Sequence, residues 1–370
     1  MADASFYDKP TQASLKKHRI VTKYAAGWEN IILPKALTKE GEIWHIDLYS
    51  GPGKYKDGTE SIPLLILRHA IATPALHDTL RTIFNDENRA FTRELEGYIA
   101  ALPGINQLRY QPVVRNYRVG KDLIPRIQRI NAPTLFFADP WGYEGVSIDL
   151  IKAALSHWGS DFLVFFNYNR INMHLTSDLM HAPIDEFFSP DRASALRTTV
   201  ARLRPTEREH AVLNEMARAI RELGARTGKF TYRSPTGTRT THHLFCVSRH
   251  REGMALFKEI SGKESSTFDD DVPSLDHNPA ADPAQGSLFS PIADLEDELI
   301  TTFAGKQLTT EQIYHEHHNG RLYVLKNYRQ ALLHLEDAGM VTVDPPRAER
   351  RMPETIPSAA LITFPNRRVG

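Results

Sequence analysis

Residues 43–58 read Ile43-Trp44-His45-Ile46-Asp47-Leu48-Tyr49-Ser50-Gly51-Pro52-Gly53-Lys54-Tyr55-Lys56-Asp57-Gly58. Ile43 to Tyr49 predicts a buried strand, because apolar and aromatic residues are broken by one acid. Ser50-Gly51-Pro52-Gly53 follows at once. A glycine turn directly after a strand lets backbone amides approach a ligand closely, since no Cβ stands in the way. The same four residues also suit a plain tight turn between a strand and a helix.

Working outward, strands and helices alternate. Residues 11–37 predict a helix, with Leu15, Ile20, Tyr24, Trp28, Ile31 and Ile32 near helical spacing and Pro34 ending the pattern. Its basic residues, Lys16, Lys17, His18, Arg19 and Lys23, suit either a helix near a ligand or a solvated face. Pro63 opens a helix over Leu64 to Ala72. Leu80 to Phe84 predicts a second strand, Gln111 to Tyr117 a third, Thr134 to Ala138 a fourth and Asp161 to Asn169 a fifth. The intervening helices are expected at Phe91 to Leu102, Leu123 to Ile130 and Ile148 to Trp158, the last capped by Ser147. Such alternation predicts a doubly wound parallel sheet, whose ligands sit beyond the carboxyl ends of the strands. Asp47 with Gly51, Glu87, Asn116, Asp139 and Asn167 all fall at such ends.

These positions suggest a cofactor site. Asp47-x-x-x-Gly51-x-Gly53 has the shape of the loop that holds S-adenosyl-L-methionine (SAM), with the strand acid near the methionine amine. Ser50, Gly51 and Gly53 would line the loop. An acid after the second strand suits the ribose hydroxyls, and Glu87 is preferred to Asp86. Asn116 ends the third strand. Asp139-Pro140-Trp141-Gly142-Tyr143 is similar to the Asp-Pro-Pro-Tyr element of amino methyltransferases. There a carboxylate and the following carbonyl orient an exocyclic amine, and an aromatic ring stacks on the base. Asp139, Pro140 and Trp141 are therefore the candidate catalytic residues, with Asn167 and Asn169 near a base pocket. The second proline of that element is Trp141 here, and the tyrosine comes one position late.

Together these stretches resemble the three-Cys-motif partner family. The resemblance rests on Lys23-Tyr24 to Trp28, on His45 to Tyr55, on Asp139-Pro140-Trp141-Gly142, on Phe166-Asn167-Tyr168-Asn169 and on Leu244 to His250. It covers residues 11–260 and departs from the pattern at Glu60-Ser61-Ile62-Pro63, near where the family shows Gly-Ser-Pro. It implies a Rossmann-like methyltransferase fold and a radical-SAM-type partner, encoded nearby, that carries the three cysteines. The glycine loop and Asp-Pro pair also look like those of N6-adenine ribosomal RNA methyltransferases.

Beyond the fifth strand, residues 175–229 predict helices. Phe230 to Arg233 and Thr240 to Ser248 predict an antiparallel pair, and Gly253 to Ile260 a further helix. The expected domains are thus 1–262, Rossmann-like; 263–290, a flexible acidic linker; and 291–370, a winged helix. The last follows from helices at Ile292–Phe303, Thr310–His317 and Tyr323–Ala338, then two strands, Met340 to Val343 and Ala360 to Phe364. Arg321, Lys326 and Arg329 are its candidate nucleic-acid contacts, to DNA or RNA.

Bulk properties exclude little. Of 370 residues, 45 are Lys or Arg and 45 Asp or Glu, so any basic surface is local rather than global. The single cysteine, Cys246, sits in an apolar run, which rules out an intrachain disulfide and Cys-based metal sites. The histidines, His242, His243, His315, His317 and His318, lack zinc spacing. No signal peptide or membrane span is evident, and a cytoplasmic protein is expected. Two function classes stand: a SAM-dependent methyltransferase acting on an exocyclic amine of a nucleic-acid base, and a non-catalytic module that binds nucleic acid or the partner protein.

Overall fold

A computed structural model describes residues 7–140, 145–175, 181–282 and 291–366. It divides into two compact units, one ending at Ile260 and the other beginning at Ser261.

The first unit is α/β. Its strands are β1 (Ile43–Asp47), β2 (Leu80–Asn85), β3 (Val113–Arg115), β4 (Thr134–Ala138), β5 (Asp161–Phe166), β6 (Arg226–Arg233) and β7 (Thr240–Ser248). Within this unit they order β3-β2-β1-β4-β5-β7-β6. β1 pairs in parallel with β2 and β4, and β4 with β5, whereas β7 runs antiparallel to both β5 and β6. This is a mostly parallel, doubly wound, Rossmann-like sheet. β4 is apolar and buried from Leu135 to Ala138, because helices cover both faces of the sheet.

Strand pleating divides β1 between two layers. Ile46 and Leu48 enter a core with Leu150, Ile151, Val164, Phe166 and Phe187. Ile43, His45 and Asp47 alternate to the other face. Helix α1 (Gln12–Ala36) packs against β1. It matches the span of 11–37 expected from sequence to within a residue at each end, and Pro34 lies inside it, two residues from its end. α1 buries Ile20, Val21, Tyr24, Trp28 and Ile32 and is tied down by polar groups at the start of β5. The Tyr24 hydroxyl donates to Asp161 Oδ2 at 2.7 Å, and the Trp28 indole donates to the Gly159 carbonyl at 2.8 Å.

Other boundaries shift for local reasons. The third strand shortens to three residues, and the helix expected over 123–130 becomes a 3-10 turn and the short helix Ile124–Ile127. Residues 226–229, expected as helix, extend β6, where Gly228 faces the Phe257 ring too closely for a Cβ. The helix expected from Gly253 runs Arg251–Lys263.

The segment expected as a flexible linker is ordered in its first part. Phe268–Asp269 and Val272–Pro273 form an antiparallel hairpin, turned through Asp270 and Asp271 with positive φ. The Asp271 carbonyl accepts from Asn327 Nδ2 at 3.0 Å, and its carboxylate pairs with Lys326 at 2.6 Å. Residues 283–290 lie outside those described.

The second unit has helices Pro291–Phe303, Thr310–His317 and Leu325–Asp337. Its sheet has three strands rather than two, because Gln307–Thr309 joins Leu361–Thr363 and Thr342–Asp344, with Leu361–Thr363 in the middle. A strand of three residues between two helices carries no alternation long enough to read from sequence. Thr309 then caps the next helix, its hydroxyl accepting from Gln312 N while Gln312 Oε1 accepts from Thr309 N.

Tyr24 to Asp161 is a buried bond between α1 and the sheet, and burial pushes the Asp161 carboxyl up to about 6 against the hydrogen bonds from Ser248 and Tyr24. Tyr24→Phe leaves that carboxyl short of a donor and should lower stability by about 1–3 kcal/mol, read as a fall in the urea midpoint at unchanged slope.

Candidate functional site

The site grows from the carboxyl ends of β1, β2 and β4. In register, Asp47 lies opposite Phe84 of β2 and Phe137 of β4. Asp86 and Asp139 each follow two residues after those partners, so three acids gather at one edge of the sheet.

The glycine turn is held from both sides. Gly51 and Gly53 have φ of +63° and +89°, the left-handed region that favours glycine. A Cβ on Gly51 would lie 2.6 Å from the Tyr7 hydroxyl, and one on Gly53 would lie 2.7 Å from Leu95 Cδ1. The glycines thus answer to backbone conformation and to neighbouring side chains. Ser50 donates through both its amide and its hydroxyl to the Asn85 carbonyl. Asn85 is a buried staple that donates to the Leu48 and Tyr117 carbonyls at 3.0 and 2.9 Å and accepts from Tyr117 N at 2.9 Å.

Asp86, not Glu87, engages the loop. Its Oδ2 accepts from Gly51 N at 3.0 Å and its Oδ1 from Asn88 N at 2.8 Å, and burial raises its carboxyl. Glu87 is exposed on the following bend. Asn116 is also exposed and donates to the Asp86 carbonyl at 2.8 Å, which supports the turn that carries Asp86. Asp47 is buried and accepts from Tyr49 N at 3.0 Å. Desolvation pushes its carboxyl to about 8, Asp139 and Asp86 adding to the rise while Lys17 and the Tyr49 amide oppose it.

Asp139 closes the site from β4. Its carboxylate forms a salt bridge with Lys17 of α1, a lysine only 3% exposed. The Lys17 ammonium also lies 4.5 Å from the centre of the Phe165 ring. Phe165 stacks in turn on His242, at 4.7 Å and 11°. Burial and the neighbouring Lys17 hold His242 neutral, at about 3, and burial holds His18, next to Lys17 in the chain, at about 3. Trp141 and Tyr143 fall outside the described residues. Asn167 caps the helix Tyr168–His174, accepting from Arg170 N at 3.1 Å, so its amide serves the chain rather than an open pocket.

Sequence reading missed Lys17 as a site residue. The signal is its place on the buried face of α1, with Ser14, Val21, Tyr24 and Trp28 at helical spacing. A lysine on such a face needs a buried counter-charge. A cavity of about 320 Å³ opens nearby in the chain, between Arg118, Lys121 and Asp122 after β3 and Gly145 and Glu186. Neither Lys17 nor any of the three acids lines it.

In the second unit the candidate nucleic-acid residues have partners of their own. Arg321 pairs with Glu298 at 2.5 Å and donates to the His317 carbonyl, Lys326 pairs with Asp271, and Arg329 donates to Ser358 Oγ at 2.7 Å. No group of metal-ligating side chains is present among the described residues, and no helix among them is long and apolar enough to cross a membrane.

Residues 276–348 match a family model described as a GMT-like wHTH domain, in agreement with the winged topology. No curated protein matches the chain. Among solved structures, the DszA carbon methyltransferase is similar at 13% identity and TM-score 0.40, over 66% of this chain and 57% of that one. A SAM-dependent methyltransferase from Agrobacterium tumefaciens is similar at 10% and 0.33, over 62% of each chain. The methyltransferase domain of bacterial CtHen1-C is similar at 12% and 0.33, over 63% of this chain and 98% of that one. The chain thus spans less than two thirds of the first two. At these scores the fold rests on the strand order above.

The raised Asp47 carboxyl makes stability depend on pH. The folded chain keeps a proton up to about pH 8 that the unfolded chain releases near pH 4, so the folded state binds more protons across that window. The Asp47 contribution to stability should therefore fall as pH rises from about 4 to 8, while the buried neutral His18 and His242 contribute in the opposite sense below about pH 6.5. Asp47→Asn should flatten that slope and raise the melting temperature most at the alkaline end. An unchanged slope in this variant would show that Asp47 is ionised in the fold.

Proposed function

We propose that the chain is a SAM-dependent methyltransferase whose acceptor is an exocyclic amine of a nucleic-acid base. The observation that carries this reading is the convergence of Asp47, Asp86 and Asp139 at the ends of β1, β2 and β4, where a doubly wound sheet binds its ligand. The residues present fit the cofactor. Asp47 is a buried carboxyl suited to an ammonium, Asp86 is placed for ribose hydroxyls, and the turn through Gly51 and Gly53 supplies backbone between them.

The bound cofactor supplies an electrophilic methyl group on a cationic sulfur. The chain's own part is positioning. Asp139 accepts a hydrogen from the incoming amine, and the Pro140 carbonyl can accept the second. Asp47 holds the amino-acid end. The winged unit supplies affinity for phosphates, in proportion to the Arg321 and Lys326 charge left after their local pairs, and such binding should weaken steeply with salt. The alternative, a non-catalytic module, draws on the departure of Asp139-Pro140-Trp141-Gly142 from Asp-Pro-Pro-Tyr. In either case the partner we propose is the radical-SAM-type protein with three cysteines, and co-purification tests it.

Two measurements test the enzyme reading. At neutral pH Asp47 holds a proton, and an arriving ammonium displaces it. Calorimetry with SAM in buffers of different ionisation enthalpy should therefore show proton release on binding at pH 7, absent in Asp47→Asn. Asp139→Ala should bind SAM nearly as well as wild type but lose labelling of RNA or DNA by tritiated SAM by about 100-fold or more. A folded wild type that binds no SAM sinks the proposal, and an Asp139→Ala variant that labels like wild type removes the amine mechanism.

A further inference from the structure

The acceptor position proposed above already holds a cation. Lys17 reaches from α1 to the Asp139 carboxylate, which is the group assigned to orient the acceptor amine. Its ammonium lies against the Phe165 ring face, and Phe165 is backed by His242. Burial keeps the Tyr55 phenol, which lies near both groups, in its neutral form. His18 and His242 are neutral by burial, burial pushes the Asp47 carboxyl up to about 8, and the Asp86 carboxylate accepts from the Gly51 and Asn88 amides. Arg170 adds a positive charge near His242.

We propose that Lys17 is the specificity-determining residue of the acceptor position: seated on Asp139, its ammonium admits a neutral planar amine and turns away a protonated aliphatic one. The inference rests on the methyltransfer reading. The physical reason is charge balance at low exposure. One carboxylate with one ammonium is neutral, whereas a second ammonium beside Lys17 would meet like-charge repulsion in a poorly solvated site. A base amine or amide carries no charge on arrival and can still donate one hydrogen to Asp139, a carboxylate having lone pairs for two donors. In the transfer step the amine nitrogen attacks the methyl carbon. The N–C bond forms as the C–S bond breaks, the bonding pair moves to sulfur to leave S-adenosylhomocysteine, and the positive charge passes to nitrogen. The nitrogen then loses its proton to water.

The test uses the full chain and three probes of one site that differ in charge at the transfer point. S-adenosylhomocysteine is neutral there, SAM carries a sulfonium, and sinefungin carries an amine-bearing carbon. Removing the Lys17 charge by Lys17→Met should raise affinity for sinefungin and SAM relative to S-adenosylhomocysteine by about tenfold. Lys17→Arg should return the ratio to that of wild type, which a merely structural role would not require. Asp139→Asn should move the ratio the other way, and it serves if Lys17→Met does not fold. Ratios that stay put in both Lys17→Met and Asp139→Asn overturn the proposal. So does transfer of tritiated methyl by wild type to poly-L-lysine in excess of that to RNA or DNA. A wild type that binds none of the three probes fells the methyltransfer reading itself, a result distinct from a bound probe with an unmoved ratio.

Discussion

Parallel register among β1, β2 and β4 is the constraint on which the candidate site depends. Neighbouring strands lie about 4.8 Å apart and rise about 3.3 Å per residue. Since Asp47 sits opposite Phe84 and Phe137, Asp86 and Asp139 must emerge about two residues further on, one to each side of β1. A slip of one residue in either pairing would turn the apolar partners to the wrong layer, so the core that fills both faces also holds the three acids in place. The Asn85 side chain fastens the chain beyond the strand ends by donating to the Leu48 and Tyr117 carbonyls.

Three acids at one edge create an electrostatic problem, and the chain answers it with protonation and one buried cation. Desolvation and the neighbouring acids favour a neutral Asp47. Asp86 is offset by two backbone amides, and Asp139 by Lys17. Lys17 reaches Asp139 because α1 is anchored to the sheet through Tyr24 and Trp28, which set the helix in position about two and three turns further along. The anchor at the start of β5 and the site at the end of β4 are therefore linked through one rigid helix.

Much of the first unit was legible because its signals are long. Apolar strands ending in an acid, separated by amphipathic helices, leave few alternatives to a parallel sheet, and the winged unit followed from three helices with turn residues between them. What escaped had short or ambiguous signals. Gln307–Thr309 is too brief for alternation, and residues 226–229 mix Gly228 with polar residues that read equally as a helix end. Asp86 and Glu87 are adjacent acids, and only the fold of the bend shows that Asp86 turns to Gly51. Lys17 stands in a basic run, Lys16-Lys17-His18-Arg19, where charge suggests a wet face. Its burial follows from phase on the helix, not from composition. The acidic run at 269–271 suggested a mobile linker, but Asp271 pairs with Lys326 and forms a hairpin instead.

The claim that a SAM-type cofactor sits over β1 and β2 can be tested by where it touches the chain. Ultraviolet cross-linking of tritiated SAM to the full protein, followed by peptide mapping, reads that contact without requiring a methyl acceptor. The account predicts label in the peptides that hold residues 47–55 or 84–91, competed away by excess S-adenosylhomocysteine. Label confined to residues 291–366, or label that S-adenosylhomocysteine does not compete, would contradict it.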